Sequence, residues 1–301
     1  RNLNPTGPGF CQSDDTVFRN KVSTNINIFS KILEFLTLKC TSSRTIFVCF
    51  NDESLPNLFS LLKSEDEIER KNVCQTLKNI FDKKILCNEI TRLLENEFQL
   101  FFVGSRTHIG MDLILNLFYY AFTVTKSISF CSYVENILFF IKKAQIEYFD
   151  DFKKIVLGFC TGNLKKSKFT LNFIYHHFED VTYLRRVVLV EIIVDLFIFW
   201  KSHLKESVIR LTDLINSALS SGHHLLLEEV IGFFEHKEIY DLVKEQVDEF
   251  LPLIFDKLYG ISKKYWRRKG KAKVFKNISL ILNMSHCVFE KCLIDYNRRR
   301  Y

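Results

Sequence analysis

Apolar residues recur at three- and four-residue spacing along nearly the whole chain, and little interrupts them. Ten glycines and four prolines are spread over 301 residues, so the usual means of turning a chain sharply are scarce. A 3.6-residue pattern with short polar turns specifies helices; a β-sandwich needs many turn signals and alternation of period two. The spacing predicts helices over roughly 25–39, 54–63, 67–83, 86–103, 110–124, 132–143, 146–160, 164–178, 183–201, 204–220, 223–236, 239–259 and 271–297. These segments pair off at about 40 residues, the period of HEAT and armadillo repeats. One pair cannot bury its own apolar faces, so neighbouring pairs must stack. The expected architecture is all-α, a HEAT-like or armadillo-like helical-repeat solenoid of about six helix pairs. It is expected to form a single domain over 16–301, after a connector over 1–15 in which Pro5, Gly7, Pro8 and Gly9 forbid regular structure.

The stretch Phe250 to Trp266, FLPLIFDKLYGISKKYW, shows the pattern at its clearest. Leu251, Ile254, Phe255, Leu258 and Tyr259 share one face. Pro252 reads as a first-turn proline, where the missing N–H costs nothing, and Gly260 as the C-terminal stop. The longest apolar run, Val187 to Trp200, is broken by Glu191 and Asp195 and is too short to span a bilayer, so it reads as a core helix. Nine cysteines lie among Leu, Phe and Val, as at Cys49 and Cys160, with no Cys-x-x-Cys pair. They read as free core thiols of a reducing compartment, the cytoplasm or nucleus. Thirty phenylalanines read as replacements for leucine in the core. The opening residues read as a Pro/Gly loop, not a secretory leader.

Catalytic constellations were sought and no cofactor or metal is expected. The glycines are scattered singly, so there is no phosphate-cradling loop. There is no Gly-x-Ser-x-Gly elbow and no His-Glu-x-x-His pair. His286-Cys287 with Cys292 lacks a second ligand pair for zinc. His176-His177 and His223-His224 are neighbours in helical segments, so their side chains are expected to diverge by about 100°. Glu228-Glu229 and Glu191/Asp195 read as solvated or capping charges. The main charge feature is KKYWRRKGKAKVFK, in which Lys263, Lys264, Arg267, Arg268, Lys269, Lys271, Lys273 and Lys276 interleave with aromatic residues. Such a run could grip a polyanion or a nucleic acid, but it is expected to be a solvated turn between repeats, and nucleic acid is not the expected partner.

Residue order adds a resemblance. Leu-Pro-x-x-Phe-x-x-Leu-Tyr-x-x-Ser-Lys-x-x-Trp, from Leu251 to Trp266, resembles the penultimate repeat of the B-prime regulatory subunits of protein phosphatase 2A. Asn277, Leu280, Met284, Phe289 and Cys292 keep that family's spacing. Asn4-Pro5-Thr6-Gly7 with Phe10 resembles its connector. Ser64-Glu65-Asp66 with Glu69-Arg70, Thr76-Leu77 and Ile80 resembles its Ser-Glu-Asp-Pro-Arg-Glu-Arg repeat, and Asn96, Phe98, Phe101, His108 and Gly110 continue in register. Coverage runs from about Asn4 to Cys292 and is sparse between about Gln145 and His223.

The resemblance implies a non-catalytic solenoid that docks on the scaffold and catalytic subunits of the phosphatase and selects phosphoprotein substrates. It also implies a groove for short linear Leu-x-x-Ile-x-Glu peptides. Its members here would be Lys78, Ile80, Phe81, Arg92, Leu117 and Lys126, with an apolar floor at Ile80, Phe81 and Leu117. The family's other cations appear as Asn79, Cys87, Thr91 and Ser129, so recognition of the glutamate is expected to be weakened. No membrane partner is expected. Two other classes stay open: a helical-repeat adaptor without phosphatase binding, and a polyanion- or nucleic-acid-binding repeat protein using 263–276.

Overall fold

The computed structural model describes residues 31, 33–34, 42–50, 53–103, 109–125, 149–264 and 268–299. The chain divides into two compact units, Arg1–Ile155 and Val156–Tyr301. Regular structure among the described residues is helical throughout.

The first unit holds α1 (Ser43–Cys49), α2 (Ser54–Ser60), a 3₁₀ turn (Leu61–Lys63), α3 (Glu67–Asp82), α4 (Cys87–Val103), α5 (Met111–Thr125) and the start of α6 (Phe149–Cys160). Asp66 fixes where α3 begins. Its carboxylate accepts the amides of Ile68 at 2.7 Å and Glu69 at 3.1 Å, two of the donors that a helix start leaves unpaired. Arg70 reaches back to the carbonyls of Ser64 (2.6 Å) and Glu65 (2.9 Å) and locks the turn. Lys63 pairs at 2.7 Å with the buried Glu97 and so ties the 3₁₀ turn to α4. Val73, Leu77, Ile80, Phe81, Leu94, Phe98, Leu117 and Phe118 form the core. Phe98 meets Phe118 edge to face at 5.0 Å.

The second unit holds the rest of α6, then α7 (Leu164–His177), α8 (Tyr183–Trp200), a 3₁₀ segment (Lys201–Ser207), α9 (Arg210–Ser220) and α10 (His224–Ile231). A 3₁₀ turn (Gly232–Glu235), α11 (Lys237–Lys244), α12 (Val247–Lys264), α13 (Arg268–Met284) and α14 (His286–Arg298) complete it. The helices lie in two rows. In one, α9, α12 and α14 stack in succession; in the other, α8, α10 and α13 do. Residues 188–190, 192–194, 196 and 197 of α8 are buried, so the longest apolar run is a core helix. No helix among the described residues is long and apolar enough to cross a membrane.

Several local readings need correction. Pro252 is the sixth residue of α12, and the helix runs through Gly260 to Lys264. The proline therefore removes one amide from the ladder, opposite the carbonyl of Asp248. The segment read as one helix over 239–259 breaks at Glu245-Gln246, between α11 and α12. Glu245 pairs with Lys205 at 2.8 Å, and Gln246 donates to the Lys205 carbonyl at 3.0 Å. The segment 271–297 breaks at Ser285, whose hydroxyl accepts the Val288 amide and restarts the helix as α14. Helix α1 was not foreseen, and it leaves Phe47, Val48 and Cys49 exposed. Of the described cysteines, Cys74, Cys160 and Cys292 are buried, Cys87 is half-buried, and Cys287 is exposed like Cys49. The adjacent histidines do not diverge. His176 and His177 meet edge to face at 4.9 Å, and His223 and His224 stack at 5.5 Å. His223 is the extended N-cap of α10, so helical spacing does not apply to that pair. Glu191, Asp195, Glu228 and Glu229 are half-buried. The connector 1–15, the segment 132–143, Gly104-Ser105-Arg106, His108 and Trp266 lie outside the described residues.

Candidate functional site

Stacked repeats leave a signature in the hydrogen bonds between helices. In the first unit, α3 and α5 are joined by Lys78 to Asn116 and by Tyr120 to Asp82, each 38 residues apart. In the second unit, Lys168 to Glu206, Arg210 to Asn172 and Ser217 to Glu179 are also 38 apart. Lys257 to the Asn216 carbonyl spans 41 residues, and Arg299 to Asp256 spans 43. These partners sit at equivalent positions of successive repeats, so each rung pins the register of one helix pair on the next.

The peptide-groove residues fall in the first unit, and the structure sorts them. Ile80, Phe81 and Leu117 have no exposed surface; they are the packing beneath any groove, not side chains that a ligand can touch. Lys78 is half-buried and already engaged. Its Nζ donates to Asn116 Oδ1 at 2.5 Å and lies 5.5 Å from the centroid of the Tyr120 ring. Tyr120 in turn donates to Asp82. Burial and that bond push its phenol up to about 12. Cys74, behind this network, donates to the Leu113 carbonyl at 3.7 Å, and burial pushes its thiol up to about 11. Arg92 is exposed on α4, and no described contact joins it to Lys78. Thr91 turns its hydroxyl to the Cys87 carbonyl at 2.7 Å, so neither residue replaces a cation. Lys126 lies outside the described residues.

Asn116, Tyr120 and Asp82 were not foreseen as members of this face. Their signal was present in the sequence as a 38-residue offset between polar residues, but only once the repeat register is known.

The basic run divides as well. Lys263, in the last turn of α12, lies over the rings of Tyr259 (4.5 Å) and Tyr296 (5.4 Å). Lys276 pairs with Glu235 at 3.2 Å, and Asn277 donates to the same carboxylate. Burial raises the pKa of Glu235, yet these two bonds and the nearby Lys273 outweigh it, and the carboxyl is held below its usual range. Lys273 is half-buried, its Nζ close enough to Gly232 that an added Cβ would stand 2.9 Å away. Lys271 is exposed. Lys264, Arg268 and Lys269 are placed only as backbone positions on their helices, and Arg267 lies outside the described residues.

Two clefts went unforeseen. One, of about 700 Å³, opens between α7 and α9 and is lined by Asn172, His176, Glu179, Arg210, Asp213 and Ser217. A second of about 700 Å³ shares Glu179, Asp213 and Ser217 and adds Arg186 and Lys257. The second balances Glu179 and Asp213 against Arg186 and Lys257, whereas the first sets three carboxylates, Glu179, Asp180 and Asp213, against Arg210.

Paired helices, stacked in rows and pinned at a near-constant offset, define a helical-repeat protein of the HEAT-like class. Residues 3–300 match the family described as protein phosphatase 2A regulatory B subunit (B56 family). The chain belongs to that family. It is similar to the 56 kDa regulatory subunit delta 1 isoform of serine/threonine-protein phosphatase 2A from Schizosaccharomyces pombe, with 21% identity over 280 residues, 91% of this chain and 51% of the relative. It is also similar to the mouse alpha isoform, with 29% identity over 86 residues, 29% of this chain and 18% of the relative. The chain thus spans about half the length of the yeast relative it matches most widely.

Proposed function

We propose that this chain is a non-catalytic regulatory subunit of protein phosphatase 2A, docking on the scaffold and catalytic subunits and selecting phosphoprotein substrates. The observation that carries the reading is the family match over residues 3–300, supported by repeat stacking in both units. Free thiols suit the cytoplasm or nucleus as its place of work. The groove between α3 and α5 is read as weak for the family's glutamate-bearing peptide, because Lys78 is engaged and Asp82 adds a like charge.

The test is reconstitution. Mixed with the scaffold–catalytic dimer of its own organism at low salt, the purified chain should co-elute as a stoichiometric complex and change the relative rates on two phosphopeptides. Alone it should release no phosphate. Separate elution at low salt would overturn the docking, and turnover by the chain alone would overturn the non-catalytic role.

A further inference from the structure

Residues 257–289 contain nine lysines and arginines and no aspartate or glutamate. Taking those nine charges from the chain's net +7 leaves the remainder at −2. The protein's whole excess of positive charge therefore sits along α12's second half and α13.

Its placement on α13 is informative. Arg268, Lys269 and Lys271 stand at the start of the helix, with no acidic residue in the first turn. Cations are unfavourable there, because the unpaired amides of a helix start already carry positive character. Cations and amides together favour an anion. Further along, Lys271, Ala272, Phe275, Lys276 and Ser279 are all exposed and follow helical spacing along one stripe. Phe275 is 52% exposed, and the Lys271 ammonium lies 5.8 Å from its ring centroid. Lys276 is held only by the exposed pair with Glu235, which is weak enough for a phosphate to displace. Lys273, packed against Gly232, is not available.

We propose that this stripe of α13 binds single-stranded nucleic acid, with Lys271 and Lys276 on phosphates and the Phe275 ring stacked on a base. Charge and one open aromatic face are the requirements for sequence-tolerant single-strand binding. A lipid surface fits less well. An interfacial helix needs several large apolar side chains free on one face, but Val274 and Ile281 are buried in the repeat core and Phe275 is the one large apolar residue on the stripe. A duplex fits less well too, since α13 is packed in a row against α10 and α12 and cannot enter a groove as a free helix.

Fluorescence anisotropy with a labelled 20-nucleotide oligouridine tests this on the full chain. Two phosphate contacts predict a slope of about −1.4 in log affinity against log salt, from about −0.7 per contact on a single strand. Phe275→Ala should weaken binding about tenfold at constant salt slope. Lys271→Glu should weaken it at least as much and flatten the slope. Lys165→Glu, an exposed lysine of α7, should change neither. An equal loss with Lys165→Glu would show general attraction to a basic protein and overturn the assignment. So would a preference for a duplex of the same length, or binding only to vesicles containing anionic phospholipid.

Discussion

Gly110 is where the first unit is least forgiving. Its φ is +72°, and a Cβ placed on it would stand 1.8 Å from the Leu62 carbonyl oxygen and 3.4 Å from Arg70 Cδ. Two costs follow for Gly110→Ala. A left-handed backbone costs a non-glycine residue about 1–2 kcal/mol. The overlap is with main chain, so no rotamer change can relieve it, and moving the 3₁₀ turn off α5 adds about 1–3 kcal/mol as overpacking does. The Lys63–Glu97 pair rides on the same turn, so any shift also disturbs a buried carboxylate.

The sum, about 2–5 kcal/mol, should lower the melting temperature of the first unit by about 10 °C, at about 2–4 °C per kcal/mol for a unit of this size. Two other glycines separate the terms. Gly222 has φ +69° with nothing within 4 Å of the added Cβ, so Gly222→Ala should cost only the conformational part, about 1 kcal/mol. Gly260 is helical and meets only Tyr296 Oη at 3.9 Å, so Gly260→Ala should gain about 1 kcal/mol from helix propensity. Calorimetry and circular dichroism melts rank the three. If Gly110→Ala melted with Gly222→Ala, α5 would not be seated against Leu62 as described.

Other outcomes follow from burial and charge. Among the described cysteines, Cys49 and Cys287 should react with a maleimide in the native protein, while Cys74, with its thiol pushed up to about 11, should react only on unfolding; peptide mapping reads this directly. Glu235 has a lowered pKa in the folded state, so its stabilisation is present above the usual carboxylate range near 4.5 and is lost as pH falls through the folded value. Denaturant titrations of Glu235→Gln should accordingly differ from wild type at pH 7 and converge with it under acid; a gap of unchanged size at low pH would rule this out. In the groove, Asp82→Asn should strengthen a Leu-x-x-Ile-x-Glu peptide severalfold by calorimetric titration, by removing the carboxylate that faces the ligand's glutamate; unchanged affinity would mean the peptide does not lie along α3 and α5.

The helical rows were legible because they depend on what repeats. Apolar residues at helical spacing mark the buried stripes, and the polar stretches Ser64-Glu65 and Ser221-Gly222 fall between elements. What escaped was set by partners distant in sequence. At the break between α11 and α12 the side chains of Glu245 and Gln246 reach Lys205, 40 and 41 residues earlier in the chain, and no local pattern announces that contact. Gly260 looked like a stop because glycine often is one, yet in a long helix packed on two sides the stacking of α12 against α13 and α14 overrides a local preference of about 1 kcal/mol.

The groove shows the same limit at the level of function. By residue type, Ile80, Phe81 and Leu117 look like a floor, but none of them has exposed surface. A floor with no exposed surface cannot discriminate a ligand's side chains, so Phe81→Ala would remove binding by opening a cavity worth about 3–5 kcal/mol in the core. It would not do so by removing a contact. Discrimination must fall to the half-exposed polar residues above, and these are bound to one another across the repeat. Each of Lys78, Asn116, Tyr120 and Asp82 is occupied before a ligand arrives. A peptide carboxylate therefore exchanges one satisfied bond for another and gains only the difference, about 1 kcal/mol where a free cation would have given about 1.5–3. That difference, not the loss of apolar shape, is what separates this groove from one with its arginines in place.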